Sequence, residues 1–366
     1  MGRLELRQLV STAELRAVAP AWDDLWHRGE VSLPTARAEL VAQWIEWFAS
    51  ESRLSILTVS EDDKMLAALP LVGRRLRRVL TVGDMTMNYW SPNGELLLDP
   101  VVDPEPVLDL LVEGMNRAPW PLLWFDMVPA ETPRWRALAE AFRRREMLLD
   151  VHWRYEIGVA EFQNDFKSFR ETLSPNLRRS LRKDSRRLDQ AGEVAFEVRD
   201  EFAPDEVDVH LRELFALEHR GWKGPAGGSV LSTPGMFEFY CRQARQLAEW
   251  GSLLTAVLKH RGNCIAFELG WVGKETYHSY KVGYDPLYRQ YGPGHLLRMR
   301  LIEWFHEHPG YRQVDFQGPT TEALSGWATS SYPIARWVVA PLRLSSQICW
   351  AAYHTAAPLV RRLRLR

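Results

Sequence analysis

Apolar and polar positions along this chain follow two periods, and the period switches many times. Leu54–Ser60 and Met65–Val72 are short apolar runs on either side of Glu61-Asp62-Asp63-Lys64, which predicts a β-hairpin. In Ala13–Arg28, Ala36–Glu51 and Pro104–Ala118 apolar residues return every three or four positions, which predicts amphipathic helices. Leu122–Val128 reads as a strand and Pro133–Arg145 as a helix. Asp84–Pro100, with Tyr89, Trp90, Pro92 and Gly94, reads as a loop.

A similar series follows. Trp153–Ile157 is a predicted strand, Asn164–Thr172 a helix, Asn176–Gln190 a strongly basic helix, and Val194–Arg199 a strand. Helices Asp205–His219 and Pro234–Glu249 flank the glycine-rich Gly221–Gly228. Leu253–Lys259 and Asn263–Val272 form a second hairpin around His260-Arg261-Gly262. Strand Thr276–Val282, helix His295–His308, strand Gln313–Phe316, short helix Thr320–Trp327 and strand Ile334–Val339 complete the order. Hairpin, helix, strand thus occurs in both halves, which predicts a tandem duplication of one α/β unit. The expected division is a domain over 1–150, a second over 151–341, and a basic amphipathic segment over 342–366.

Composition narrows the classes. At 366 residues, 46% hydrophobic and 25% charged, the chain has core material for two domains. A formal net charge of −1 gives no general attraction to nucleic acid. Three scattered cysteines supply neither a zinc spacing nor a disulfide framework, so no metal site is expected and a reducing cytoplasm is. No apolar run is long enough to span a bilayer. After Glu322 there are arginines but no acids, so 342–366 is expected either to lie on an anionic membrane surface or to pack on its own domain, with Pro358 interrupting it.

The loop between Val282 and the helix at His295 concentrates the candidate chemistry. Arg289-Gln290-Tyr291-Gly292-Pro293-Gly294 is an R-x-x-G-x-G sequence at a strand-to-helix junction. Gly292 and Gly294 permit close backbone approach, Pro293 gives up no needed donor, and the first-turn amides point at an anion. Arg289 can add a charged hydrogen bond. Neither the dinucleotide nor the P-loop pattern is present.

Four segments together give the chain a family likeness. They are Asn176–Leu188 with Gly192-Glu193-Val194, then Leu217–Trp222, then Tyr280–Tyr288 leading into Gly292-Pro293-Gly294, and finally Val314-Asp315-Phe316 ahead of Trp327. The sequence resembles the Fem-like, cellulose-biosynthesis-type branch of the GNAT acyltransferases. The resemblance implies tandem GNAT-like domains, each a mixed, mostly antiparallel sheet flanked by helices. It also implies acetyl-coenzyme A or another acyl-coenzyme A as co-substrate, and an amine of a small molecule or envelope precursor as acceptor. Fem proteins proper use aminoacyl-tRNA, which is the alternative, and a catalytically silent binding protein of the same fold is a third reading. The family often has a lysine three residues before the tryptophan matched to Trp327; Leu324 stands there.

On this reading the cofactor is held by Val282, Arg289, Gln290, Tyr291, Gly292, Gly294 and His295. Amine attack on a thioester needs a base and an acid. His219, at a helix end beside a glycine-rich loop, is the first candidate base, with Asp315 at a strand end and Glu268 within a strand as rivals. Tyr332, Tyr284 and Tyr280 are candidate acids. Trp222, Tyr280, Lys281, Arg178 and Arg182 are expected to contact substrate. The arginines at 178, 182 and 186 share one helical stripe, without the aromatic residues that sequence-specific RNA binding uses.

Overall fold

The computed structural model describes residues 3–76, 80–162, 165–221 and 223–364. The chain divides into two compact units. The first comprises Met1–Val31, Thr35–Tyr155 and Pro333–Arg366; the second comprises Ser32–Pro34 and Glu156–Tyr332. The last strand, grouped with the second domain by its place in the sequence, is therefore counted with the first unit from Pro333 onward.

In the first unit, strand β1 (Leu4–Leu9) is followed by helices α1 (Thr12–Ala17), α2 (Ala19–Arg28) and α3 (Ala38–Phe48). The single helix expected over Ala13–Arg28 is two, because Pro20 sits in the first turn of α2 and disfavours a continuous helix through Val18. Strands β2 (Leu54–Glu61), β3 (Lys64–Leu76) and β4 (Leu80–Met85) form an antiparallel meander. The expected loop contains three short strands, β5 (Met87–Asn88), β6 (Ser91–Pro92) and β7 (Leu97–Leu98). Helix α4 (Pro104–Arg117), strand β8 (Leu123–Val128) and helix α5 (Pro133–Arg144) follow. β8 runs parallel to β4 and, on its other side, antiparallel to the chain's last strand. Trp135, Phe125, Phe142 and Trp337 fill the core.

Strand β9 (Leu148–Glu161) passes from the first unit's residues into the second's. There follow α6 (Phe166–Thr172), α7 (Pro175–Ala191), β10 (Val194–Arg199), α8 (Val207–Arg220) and α9 (Met236–Glu249). The expected start of α6 at Asn164 lies outside the described residues. Strands β11 (Leu253–His260), β12 (Asn263–Gly273) and β13 (Thr276–Tyr284) form the second meander. Helix α10 (Pro293–Glu307), strand β14 (Gln313–Pro319), the single turn α11 (Glu322–Ser325) and strand β15 (Ser330–Ala340) follow. β14 is parallel to β13 and antiparallel to β9.

Strand by strand, the second unit repeats the first: an edge strand, a three-stranded meander, a helix, then a parallel strand. The tandem GNAT-like fold read from the sequence is the observed one, each copy a mixed and mostly antiparallel sheet with helices against it. Each copy closes its sheet with a strand displaced in the sequence, β15 beside β8 and β9 beside β14.

The last helix, α12 (Leu344–Arg364), runs through Pro358 without the expected interruption. Trp350, Tyr353 and Cys349 pack against Val82, Leu122 and Val338 of the first unit's sheet. No helix among the described residues is long and apolar enough to cross a membrane.

Candidate active site

In the second unit β13 and β14 begin as neighbours and then part. They pair at Thr276–Gln313, Tyr277–Val314 and His278–Asp315, and no further pair joins them among the described residues. Two local features drive the divergence. The β12–β13 register shifts between Leu269 and Gly270, which leaves Tyr280 as an extra residue and bends β13. On β14, Gln317 takes a positive φ of 54°, and its ladder with β9 slips between Asp315 and Pro319. The result is a wedge, bounded on one side by Ser279–Tyr284 with no strand paired to that edge. An extended ligand can add to such an edge through main-chain hydrogen bonds.

The mouth of the wedge leads to the R-x-x-G-x-G loop. Pro286–Tyr291 form a tight helical turn, and Gly292 ends it in the left-handed conformation, φ 54° and ψ 46°. A residue with a Cβ is strained there. Pro293 opens α10, and no side chain caps the helix. His295 N–H and Leu296 N–H both donate to Gly292 O, at 3.0 and 3.1 Å, so those two amides are already engaged. Gly294 is left as the first-turn amide on offer, with no atom within 4 Å of where its Cβ would stand. The first unit differs at the matching helix. Asp103 caps α4 by accepting from Glu105 N–H at 3.1 Å, and Glu105 adds a second carboxylate to the first turn. That end already holds its own anion.

The α7 helix borders the loop. Arg187 donates to Gln290 O at 3.1 Å and lies 5.2 Å from the Tyr291 ring centre. Asp184 Oδ2 is 3.4 Å from the Cβ position of Gly292, and Ser180 donates to the same oxygen at 3.0 Å. That carboxylate opposes an anion at the loop, and Arg187 offsets it. Arg289 and Gln290 are exposed. Trp327 Nε1–H donates to His295 Nδ1 at 3.2 Å, and the two rings stack at 6.0 Å. Burial lowers the His295 pKa, and Arg298 lowers it further.

A polar cluster sits at the apex, where the strands separate. Tyr332 donates to Asp315 Oδ2 at 2.8 Å, and Asp315 Oδ1 accepts from Gln317 N–H at 2.8 Å. His278, opposite Asp315 in the ladder, is bound on both ring nitrogens. Gln317 Nε2 lies 3.0 Å from Nδ1, and Ser32 Oγ lies 3.2 Å from Nε2. Burial depresses the His278 pKa, with Asp315 opposing, which favours a neutral ring. The structure thus brings together two of the sequence-selected residues, Asp315 and Tyr332. His278 and Gln317 were missed; the one legible hint was a histidine beside a serine in the mostly aromatic first half of the strand.

The other candidates lie elsewhere in the second unit. His219 is exposed at the end of α8, where its Nδ1 meets Ser229 Oγ at 2.8 Å, a partner outside the apex cluster. Its neighbour Glu218 is the buried group, paired with Lys223 at 2.7 Å and accepting from Val230 N–H at 3.0 Å. Glu268 is buried and paired with Arg298 of α10 at 3.2 Å, so its charge is spent inside the unit. Tyr280, the bulge residue, stacks on Trp271 at 4.0 Å and accepts from Tyr240 Oη at 3.3 Å. Lys281 is buried, 5.3 Å from the Tyr240 ring centre, and burial lowers its pKa to about 8. Tyr284 and Val282 are exposed along the open part of β13. Arg178 and Arg182 lie on α7, and Trp222 lies outside the described residues. Among the described residues no group of three or more His, Cys, Asp or Glu side chains could hold a metal.

Residues 175–323 match the family model described as an acetyltransferase (GNAT) domain, so that stretch is similar to domains of the acyltransferase type. No curated protein sequence matches. The fold is shared with solved structures at low identity. FemX aligns over 95% of this chain and 99% of its own, with 10% identity and a TM-score of 0.58. The C-terminal domain of a putative lysylphosphatidylglycerol synthetase from Agrobacterium fabrum covers 90% of this chain and 92% of its own, with 15% identity and a TM-score of 0.53. A conserved protein of unknown function from Bacteroides thetaiotaomicron covers 93% and 100%, with 12% identity and a TM-score of 0.51.

Proposed function

We propose that the chain is an N-acyltransferase that moves an acyl group, acetyl first among the candidates, from acyl-coenzyme A to an amine of a small molecule or envelope precursor. The observation that carries this reading is the wedge between β13 and β14, with the uncapped start of α10 at its mouth. A pantetheine arm in the wedge hydrogen-bonds the open edge of Ser279–Tyr284. Its pyrophosphate then meets Gly294 and the positive end of α10. The first unit, whose matching helix is capped by Asp103, has no such seat and serves as scaffold.

Asp315 and Tyr332 are the proposed acid–base pair. Tyr332 donates to Asp315, so the pair can relay a proton, the phenol oxygen taking one from the attacking amine as its own passes to the carboxylate. The amine nitrogen bonds to the thioester carbon, the C–S bond breaks, and the departing thiolate takes a proton back from the same pair. His278 and Gln317 position Asp315 rather than touching the reacting atoms. Holding donor and amine in line supplies much of the rate on its own.

The test is calorimetry with coenzyme A, followed by a thiol-release assay with acetyl-coenzyme A and a panel of amines. Coenzyme A binding with amine-dependent thiol release is the expected result. No binding at millimolar coenzyme A would remove the reading.

A further inference from the structure

A groove of about 650 Å³ runs between α7 and α10 of the second unit, on the side of α7 turned away from the glycine loop. Its size falls within the range of small-molecule sites. Its floor is apolar: Leu181, Leu188, Leu258, Leu296 and Met299 line it. Its rim is basic: Arg170, Arg178, Arg182 and Arg186 stand along it. Among the described residues none of these four arginines makes an ion pair, although Arg187 on the same helix as three of them pairs with Asp184. The two rim carboxylates are engaged locally, Glu303 by Arg300 at 3.2 Å and Asp189 by Ser185 at 3.3 Å. The positive surface continues past the groove through Lys167 and Arg179 into a second hollow of about 520 Å³.

We propose that this groove binds an anionic phospholipid of a bilayer. The phosphate sits against Arg178 and Arg182, and one hydrocarbon chain lies along the floor. The pairing of apolar floor and guanidinium rim selects the occupant. A phosphate-rich soluble ligand leaves the half-buried Phe166, Val194 and Met299 wet, and an uncharged chain leaves the arginines unanswered. Single-stranded RNA fits poorly, because Phe166 is the one aromatic ring on the lining. The site is separate from the acyl-donor wedge and does not depend on the catalytic reading. It would hold the second unit at a membrane surface without any helix among the described residues crossing it.

The experiment uses the full chain and flotation with vesicles of phosphatidylcholine alone or mixed with phosphatidylglycerol. The expected result is flotation with the mixed vesicles and none with phosphatidylcholine. Removing two interfacial arginines in Arg178→Gln/Arg182→Gln should weaken the vesicle affinity roughly 25-fold. Met299→Trp keeps the charge and fills the floor, and should weaken it as well. Circular dichroism and coenzyme A binding report whether each variant is folded. Flotation unaffected by Met299→Trp would mean surface electrostatics without a lipid in the groove, and would overturn the proposal. So would binding of pyrophosphate or of tRNA, lost in the double arginine variant, with no flotation.

Discussion

Gly294→Glu separates the proposed anion seat from the fold, because the same change should push binding and stability in opposite directions. Nothing lies within 4 Å of the Cβ position of Gly294, so a side chain enters without collision. Replacing a first-turn helical glycine removes a propensity cost of at most about 1 kcal/mol. A carboxylate at the positive helix end adds about 0.3–1 kcal/mol of stability. The variant should therefore unfold at the wild-type temperature or slightly above it. Coenzyme A meets the opposite situation. At about 5 Å and an effective dielectric near 20, a carboxylate opposes each phosphate charge by about 3 kcal/mol, a loss of more than a hundredfold in affinity. Gly294→Ala, neutral and small, is the control. The assay is calorimetry together with the melting temperature with and without coenzyme A. Ligand-free melting should be preserved, and the ligand-induced rise, roughly 2.7 kcal/mol at a hundredfold excess over Kd, should vanish in the glutamate variant. If Gly294→Glu bound coenzyme A within twofold of wild type, the anion would sit elsewhere.

Three further predictions concern the remaining groups. Asp315→Asn and Tyr332→Phe should each lower kcat roughly 10²- to 10⁴-fold with little change in coenzyme A affinity, and the double variant should be no slower than the worse single one; multiplicative losses would mean that the two do not act as a pair. His210, half-buried and bonded to Thr255 at 2.9 Å, has its pKa lowered from 6.5 to about 4, first by burial and then by Arg199 and Lys259. The unfolded chain binds that proton first, so stability should fall as pH drops from about 6.5 towards 4, by up to about 3 kcal/mol; chemical denaturation of His210→Gln should show a flatter profile across that window, and an unchanged slope would assign the titration to other groups. Truncation after Pro341 removes Tyr353, which bonds His152 at 2.9 Å and meets Trp124 edge-on at 5.6 Å. That loss should cost the first unit roughly 3–5 kcal/mol in a denaturant titration; unaltered unfolding would mean that α12 does not pack on its own unit in solution.

Much of this architecture was legible from periodicity, because meanders and amphipathic helices are written in neighbouring residues. The duplication showed in the repeated order of elements, and the glycine loop showed in its composition. Features that depend on distant partners did not. The bulge at Tyr280 exists because β12 pairs with β13 in registers that differ by one residue on its two sides, and nothing in Ser279-Tyr280-Lys281 announces that. The glycines after His219 draw attention to it, but they do not announce its hydrogen bond to Ser229, ten positions on. Glu268 was ambiguous until Arg298, thirty positions later, was seen beside it. His278 gained its place from Asp315 across the ladder and from Ser32, which lies 246 positions earlier.

The displaced closing strands affect how the protein is made. The outer edge of β8 is covered by β15, which pairs it through Ala335–Val128 and Trp337–Phe125. Val128 leaves the ribosome some two hundred residues before its partner does. The half synthesised first is thus the half finished last, with a bare strand edge open to mispairing throughout elongation. A ribosome stalled just short of Pro333 would release a chain whose second unit has all its strands while its first still lacks one.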